Sequence, residues 1–167
     1  MAVRPVVRFP DPVLTTPAEP VGTVDAEVAG LVEDLLDTMR ASPACVGLAA
    51  NQIGVARRVA VVDVTGHRKA RSCHGEIVLV DPVVIGCAET DELAREGCMS
   101  VPDLTGDVGR AASVVVAAFD AAGRPVEIEA DAFEARALLH EIDHLDGHLF
   151  LDRVASHAAV FRRRVYR

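Results

Sequence analysis

Tryptophan is absent from this 167-residue chain, and one tyrosine and five phenylalanines bring the aromatic share to only 4%. No platform for stacking nucleic-acid bases is evident, and the core has to be built from Val, Leu, Ile and Ala. Positive charge is also in deficit, with 17 Lys and Arg against 25 Asp and Glu, a formal net charge of −8. DNA binding needs the opposite balance, so none is expected. No apolar run is long enough to span a bilayer as a helix. The N-terminal stretch, interrupted by Pro5, Pro10 and Pro12, lacks the apolar segment and cleavage site of a secretory signal. The expected location is the cytoplasm, away from membranes. Cys45, Cys73, Cys87 and Cys98 form no C-x-x-C pair, which favours free or metal-bound thiols over disulfides.

What is present fits a single domain spanning 1–167, since 50% of the residues are apolar and the length supports a real core. Residues 1–24 read as an extended arm. Val28, Leu31, Val32, Leu35, Leu36 and Met39 form a helical stripe within 25–39, stopped by Ser42–Pro43. A strand follows at Val59–Val64 and a polar loop at Gly66–Gly75. Ile77–Val80 is a short strand ended by Asp81–Pro82, with Val83–Ile85 resuming it. Ser113–Phe119 and Val126–Ala130 flank a turn and predict a β-hairpin.

The period then changes. Asp131 is placed to cap a helix, Glu134 to complete its capping box, and Gly147 to lie past its end, giving a helix over 132–146. Residues 154–167 read as a C-terminal helix or tail, whose basic run Arg162–Arg163–Arg164 is a solvated end or a contact for something anionic. The fold class is α+β, with antiparallel strands packed around the late helix. That helix is apolar on two adjacent faces, so burial is expected.

On it the chain reads His140–Glu141–Ile142–Asp143–His144. Residues four apart share a helical face, so both imidazoles can converge on one ion, such as zinc or iron(II). Glu141, one residue round the helix, can reach a metal-bound water and act as general base. In an apolar helix, two unliganded imidazoles and a carboxylate would be costly to bury. A third ligand is less clear. Phe150 stands where one metalloprotease pattern has a histidine, and no glutamate follows Glu141. His148 and His157 are weak downstream candidates. Upstream, His67, His74 and the four cysteines compete, with Cys98 favoured by its place in Glu96–Gly97–Cys98–Met99–Ser100 but not singled out by spacing.

Three segments together resemble the peptide deformylase family: Gly47–Leu–Ala–Ala–Asn–Gln52–Ile–Gly54, Glu96–Gly97–Cys98–Met99–Ser100 and His140–Glu–Ile–Asp–His144–Leu–Asp–Gly147. The likeness runs from Asp11 to Arg153. It implies hydrolysis of the N-formyl group of N-formylmethionyl peptides, releasing formate and a free amine. Cys98 then becomes the third ligand beside His140 and His144. A metal-bound water is the nucleophile, Glu141 the general base and acid, and the Gln52 side chain and Met99 N–H the oxyanion donors. Substrate contacts are expected from Val46 and Gly47, from Glu96 and Gly97, and from Phe133, Arg136 and Ala137, with Arg110 and Leu48 in support. One divalent ion is implied, iron(II) first, with zinc, nickel or cobalt as alternatives. The expected partners are nascent formylated polypeptides and transiently the ribosome, bound by a monomer. Competing readings are a specialised deformylase paralogue, another metallohydrolase or endopeptidase, and a structural zinc protein. The chain departs from the family pattern at Cys45, Met99, Ala132 and Leu139, where a glycine, a leucine, a glycine and a glutamine are usual.

Overall fold

The computed structural model of the protein describes residues 2–163. Asp25 accepts from the Glu27 and Val28 amides and so starts helix α1 (Ala26–Ala41), satisfying donors that have no partner inside the helix. Its apolar stripe, Val28, Val32, Leu35, Leu36 and Met39, is buried. The strands are β1 (Gly47–Ala49), β2 (Val59–Val62), β3 (Ile77–Cys87), β4 (Asp91–Cys98), β5 (Val101–Ala111), β6 (Ser113–Phe119) and β7 (Pro125–Asp131). Helix α2 (Ala132–Leu145) and the short strand β8 (Val160–Arg162) follow.

All named strands pair antiparallel. They form a five-stranded sheet in the order β1-β2-β3-β6-β7 and a three-stranded sheet in the order β4-β5-β8. Helix α2 touches β1, β2, β6 and β7 of the first and β5 of the second. Leu138 and Leu145 are fully buried on it, each contributing roughly 1.5–3 kcal/mol by leaving water. The N-terminal arm is pinned across this interface. The Val7 amide donates to Gln52 O at 2.8 Å, Phe9 to Ser100 O at 2.9 Å and Ala18 to Leu145 O at 2.8 Å, and Leu14 of the arm is fully buried. Among the described residues, no helix is long and apolar enough to cross a membrane.

Three expectations need correction, and one hairpin carries no signal in the sequence. The β3 strand does not end at Asp81–Pro82 but continues through a register shift between Val80 and Val83. There Asp81 adopts φ 51°, and its carboxylate accepts from the Val21 and Gly22 amides at 2.8 Å each. Asp131 makes no side-chain cap for α2. The 66–75 loop takes both carboxylates meant for the capping box: Ser72 N donates to Asp131 Oδ1 at 2.9 Å, and His74 N to Glu134 Oε1 at 2.8 Å. The hairpin of β4 and β5 was not foreseen, because β4 keeps most of its side chains in solvent and shows no apolar alternation. Finally, residues 154–163 form no α-helix. They contain a 3₁₀ turn at His157–Ala159, and β8 pairs with β5; Arg164 and the rest of the basic tail lie outside the described residues.

Ala132 opens α2 with φ 48°, a left-handed conformation costing a residue with a Cβ about 1–2 kcal/mol. Glycine would relieve that cost while losing about 0.4–1 kcal/mol through the freer unfolded chain. Ala132→Gly is therefore expected to raise the urea unfolding midpoint by an amount worth about 0.5 kcal/mol. A lowered midpoint would show that the turn into α2 is unstrained.

Candidate metal centre

Cys98 is the last residue of β4, opposite Val101 across the two-residue turn Met99–Ser100. That hairpin aims its thiol at α2, where His140 and His144 stand one turn apart, their rings 5.0 Å between centroids and nearly perpendicular. One ligand atom from each of the three residues lies within 4.8 Å of the others, and Cys98 Sγ is 3.2 Å from His144 Nε2. Of the competing donors, Cys73 is exposed, His74 pairs with Glu134, and His148 and His157 are exposed. None joins the cluster.

Glu96, two residues before the thiol, orients the site. Its Oε2 contacts His140 Nδ1 at 2.9 Å, which puts the proton on Nδ1 and leaves Nε2 free to ligate. Arg110 donates to both its oxygens at 3.0 and 3.1 Å, and Arg136 to Oε1 at 2.7 Å. Burial alone would raise the Glu96 carboxyl, but the hydrogen bonds and charges of His140 and Arg110 hold it well below the usual range. Arg110 also bonds Asp143, which Arg153 contacts from the other side at 3.0 Å.

The donors fit a divalent ion. Burial opposes ionisation of the Cys98 thiol, yet the charge of His144 and hydrogen bonds from both imidazoles hold it well below the ordinary range, so the environment favours the thiolate that a metal requires. Among the described residues, Glu141 Oε2 and His144 Nδ1 are buried without a protein partner. Burial pushes the Glu141 carboxyl up to about 7 against the opposing charges of the two histidines. Its other oxygen packs against Gly47, where an added Cβ would come within 2.5 Å of Oε1. Gln52 is fixed from behind by the Ala49 amide on its Oε1 at 2.9 Å, and its Nε2 donates to Cys98 Sγ at 3.3 Å and Ser100 Oγ at 3.2 Å.

These groups face a cavity of about 350 Å³. Val46, Gly47, Gln52, Glu96, Gly97, Cys98, Met99, Phe133, Arg136, Ala137, His140 and Glu141 all line it. His144 and Leu48 are buried behind the wall, and Arg110 reaches the site through Glu96. The lining also includes Pro43, Ala44, Cys45, His67, Arg95 and Arg163, outside the expected contacts, with Cys45 and His67 read in the sequence only as competing metal donors. The His67 ring stacks on Phe133 with centroids 3.7 Å apart. The Arg163 guanidinium donates to Cys98 O at 3.2 Å, delivered by β8. No local motif marks either, because both meet the site only through the tertiary fold.

A family model described as polypeptide deformylase matches residues 3–159. The chain belongs to the peptide deformylase family. It is similar to the peptide deformylase of Rhizobium meliloti, with 39% identity over 156 residues, covering 93% of this chain and 87% of that one. The crystal structure of peptide deformylase from Ehrlichia chaffeensis superposes with a TM-score of 0.88 at 31% identity, covering 95% of this chain and 91% of that one. A Met-Ala-Ser-bound class I type b peptide deformylase from Acinetobacter baumannii gives 0.84 at 31% identity, covering 92% and 100%. With Cys98, His140 and His144 clustered beside Gln52, the chain is a metal-dependent hydrolase of the deformylase type.

Glu96→Gln is expected to cost about 3–5 kcal/mol of unfolding free energy, since it leaves buried guanidinium charge uncompensated, and to weaken metal affinity roughly 10–100-fold by loosening His140. Because the folded-state value lies below the ordinary 4.5, the unfolded chain takes up the proton first as pH falls. The stability gap between parent and variant is therefore full above that value and shrinks below it. Urea unfolding across pH and a chelator competition read both effects; an unchanged variant would remove Glu96 from the frame of the site.

Proposed function

We propose that the chain removes the formyl group from N-formylmethionyl peptides as one catalytic domain over 1–167, comprising the arm 1–24, the metal-binding helix 132–146 and the segment 154–167. Its finer architecture is deformylase-like, with antiparallel strands around the helix carrying the H-E-x-x-H pattern. The observation that carries this reading is the buried Glu141 carboxylate beside the Cys98, His140 and His144 donors, with one oxygen unpartnered. When bound, a divalent ion supplies Lewis-acid activation of water and of the formyl carbonyl.

The protein groups do the rest. Glu141, with its carboxyl pushed up to about 7, takes a proton from the attacking water, as suits a general base working near neutral pH. The water oxygen adds to the formyl carbon, and charge grows on the carbonyl oxygen. Gln52 Nε2, held by Ala49 on its far side, and the Met99 backbone N–H donate to that oxygen. The C–N bond then breaks, Glu141 returns its proton to the leaving nitrogen, and formate and a free amine result. Phe133 and Ala137 offer an apolar wall to a methionine side chain, while Val46, Gly47 and Gly97 present backbone to the peptide. Glu96, Arg136 and Arg110 position these walls, and Leu48 packs beneath them.

Glu141→Gln is expected to retain the ion and lower turnover of formyl-Met-Ala-Ser by ~10²–10⁴-fold. Parent-like turnover at equal metal content would refute the role of Glu141, and cleavage of unformylated internal peptide bonds by the parent would point to an endopeptidase.

The ion we infer is iron(II). One thiolate and two imidazoles suit iron(II) and zinc alike, and the likeness to bacterial deformylases favours iron. Protein purified without oxygen should carry iron and recover activity from iron(II) better than from zinc. In air it should lose iron and oxidise at Cys98, since a redox-active ion exposes an ionised thiol to oxygen chemistry. Full, air-stable activity with zinc and no gain from iron would reverse the assignment.

A further inference from the structure

The loop over residues 66–75 carries Arg68, Lys69 and Arg71, all exposed, in a chain whose net charge is −8. These cations flank a groove that shares Arg95, Phe133 and Arg136 with the active-site cavity. Glu92 is the one acid in its lining. Arg136 is already engaged by Glu96 and Arg95 by Asp107. By contrast, Arg68, Lys69 and Arg71 form no ion pair among the described residues. The loop does not wave freely: Ser72 is bonded to Asp131 and His74 to Glu134, both at the start of α2. At the boundary between cavity and groove stands His67, stacked on Phe133. Burial lowers its pKa, and the charges of Lys69 and Arg68 lower it further, so the field of the loop is felt at the wall of the cavity.

A formylated polypeptide is far longer than a cavity of about 350 Å³ can hold, and its residues beyond the first two have to leave over the rim. We propose that they leave along this groove, and that Arg68, Lys69 and Arg71 select substrates with acidic side chains at the third and fourth positions. This rests on the reading given under Proposed function. A peptide is favoured over RNA as the occupant because the groove is short and opens directly from the cavity. The acidic remainder of the chain also repels a long polyanion, while a few carboxylates near the rim feel mainly the local cations, within a Debye length of roughly 8–10 Å.

The test uses metal-loaded protein and three substrates, formyl-Met-Ala-Glu-Glu, formyl-Met-Ala-Gln-Gln and formyl-Met-Ala-Lys-Lys, each as its amide. The acidic peptide should exceed the basic one in kcat/KM by roughly threefold to tenfold at low salt, and the gap should close at high salt. The triple variant Arg68→Gln, Lys69→Gln, Arg71→Gln should lose the preference while turning over formyl-Met-Ala amide, too short to reach the groove, like the parent. Turnover of that short amide by the parent checks the deformylase reading separately. Affinities for the unformylated tetrapeptides, measured by fluorescence anisotropy, read the groove even without turnover. Equal kcat/KM and equal affinities across the series would overturn the proposal, as would a preference that survives the triple variant. Salt-sensitive binding of a single-stranded RNA oligonucleotide with no charge preference among peptides would also overturn it, and would give the cations to a polyanion.

Discussion

Glu96 reaches from β4 to Arg110 on β5 and to Arg136 and His140 on α2, joining the small sheet to the helix in the buried interior. An ionised carboxylate offers about four lone-pair sites. Here Oε1 accepts from Arg110 Nε and Arg136, and Oε2 from the other Arg110 nitrogen and His140. Taking such a group out of water costs several kcal/mol, offset only when its partners are complete and well placed. With every lone pair used, the network tolerates a single arrangement of hairpin and helix. That arrangement sets Cys98, two residues along β4, against His144. The relative placement of the ligands is thus a consequence of ion pairing one step removed from them.

A second carboxylate on the same cavity meets the opposite environment. Glu141 gains no guanidinium, lies against Gly47 and keeps one oxygen without a protein partner. Burial therefore drives it up while the partners of Glu96 drive that group down. Titratable neighbours whose environments push them apart divide into a fixed charge and a proton carrier. Asp143, two residues further along α2, is ion-paired with Arg110 and Arg153. Glu141, raised by its burial, has an environment suited to exchanging a proton near neutral pH.

What was readable in the chain follows from which forces are local. Both helices were legible because their apolar stripes are periodic, one face in α1 and two adjacent faces in α2, as was the hairpin of β6 and β7, whose strands alternate about a turn. The histidine pair was legible because helical geometry alone brings residues four apart together. Cys98 was not singled out by spacing: its approach to α2 depends on the β4–β5 hairpin, whose outward face is polar and whose inward side chains include Glu96 itself. The caps of α2 were misread for a related reason. Asp131 and Glu134 carry a sound local signal, but the 66–75 loop outbids the helix N–H groups for their carboxylates. His67 and Arg163 reach the cavity from a loop and from a strand added at the sheet edge, contacts that no window of sequence contains.

The four departures from the family pattern can be weighed against the same frame. Met99 occupies the turn after Cys98 and packs its side chain on the cluster around α1, leaving its backbone N–H available, as any residue but proline would. Leu139 replaces an amide with an apolar group, and it packs against the main core. Ala132 keeps the left-handed turn that glycine adopts more easily, a strain placed at the start of α2 and two turns from His140. Cys45 brings a second sulfur near the donors. Its thiol donates to Gly47 O at 3.1 Å, and burial, followed by the charge of Glu141, pushes it up to about 12. A thiol held protonated is a poor metal ligand, whereas Cys98 is driven the other way by its imidazoles. The two sulfurs are separated by electrostatics as well as position, and the substitution most able to disturb the site leaves the choice of ligand intact.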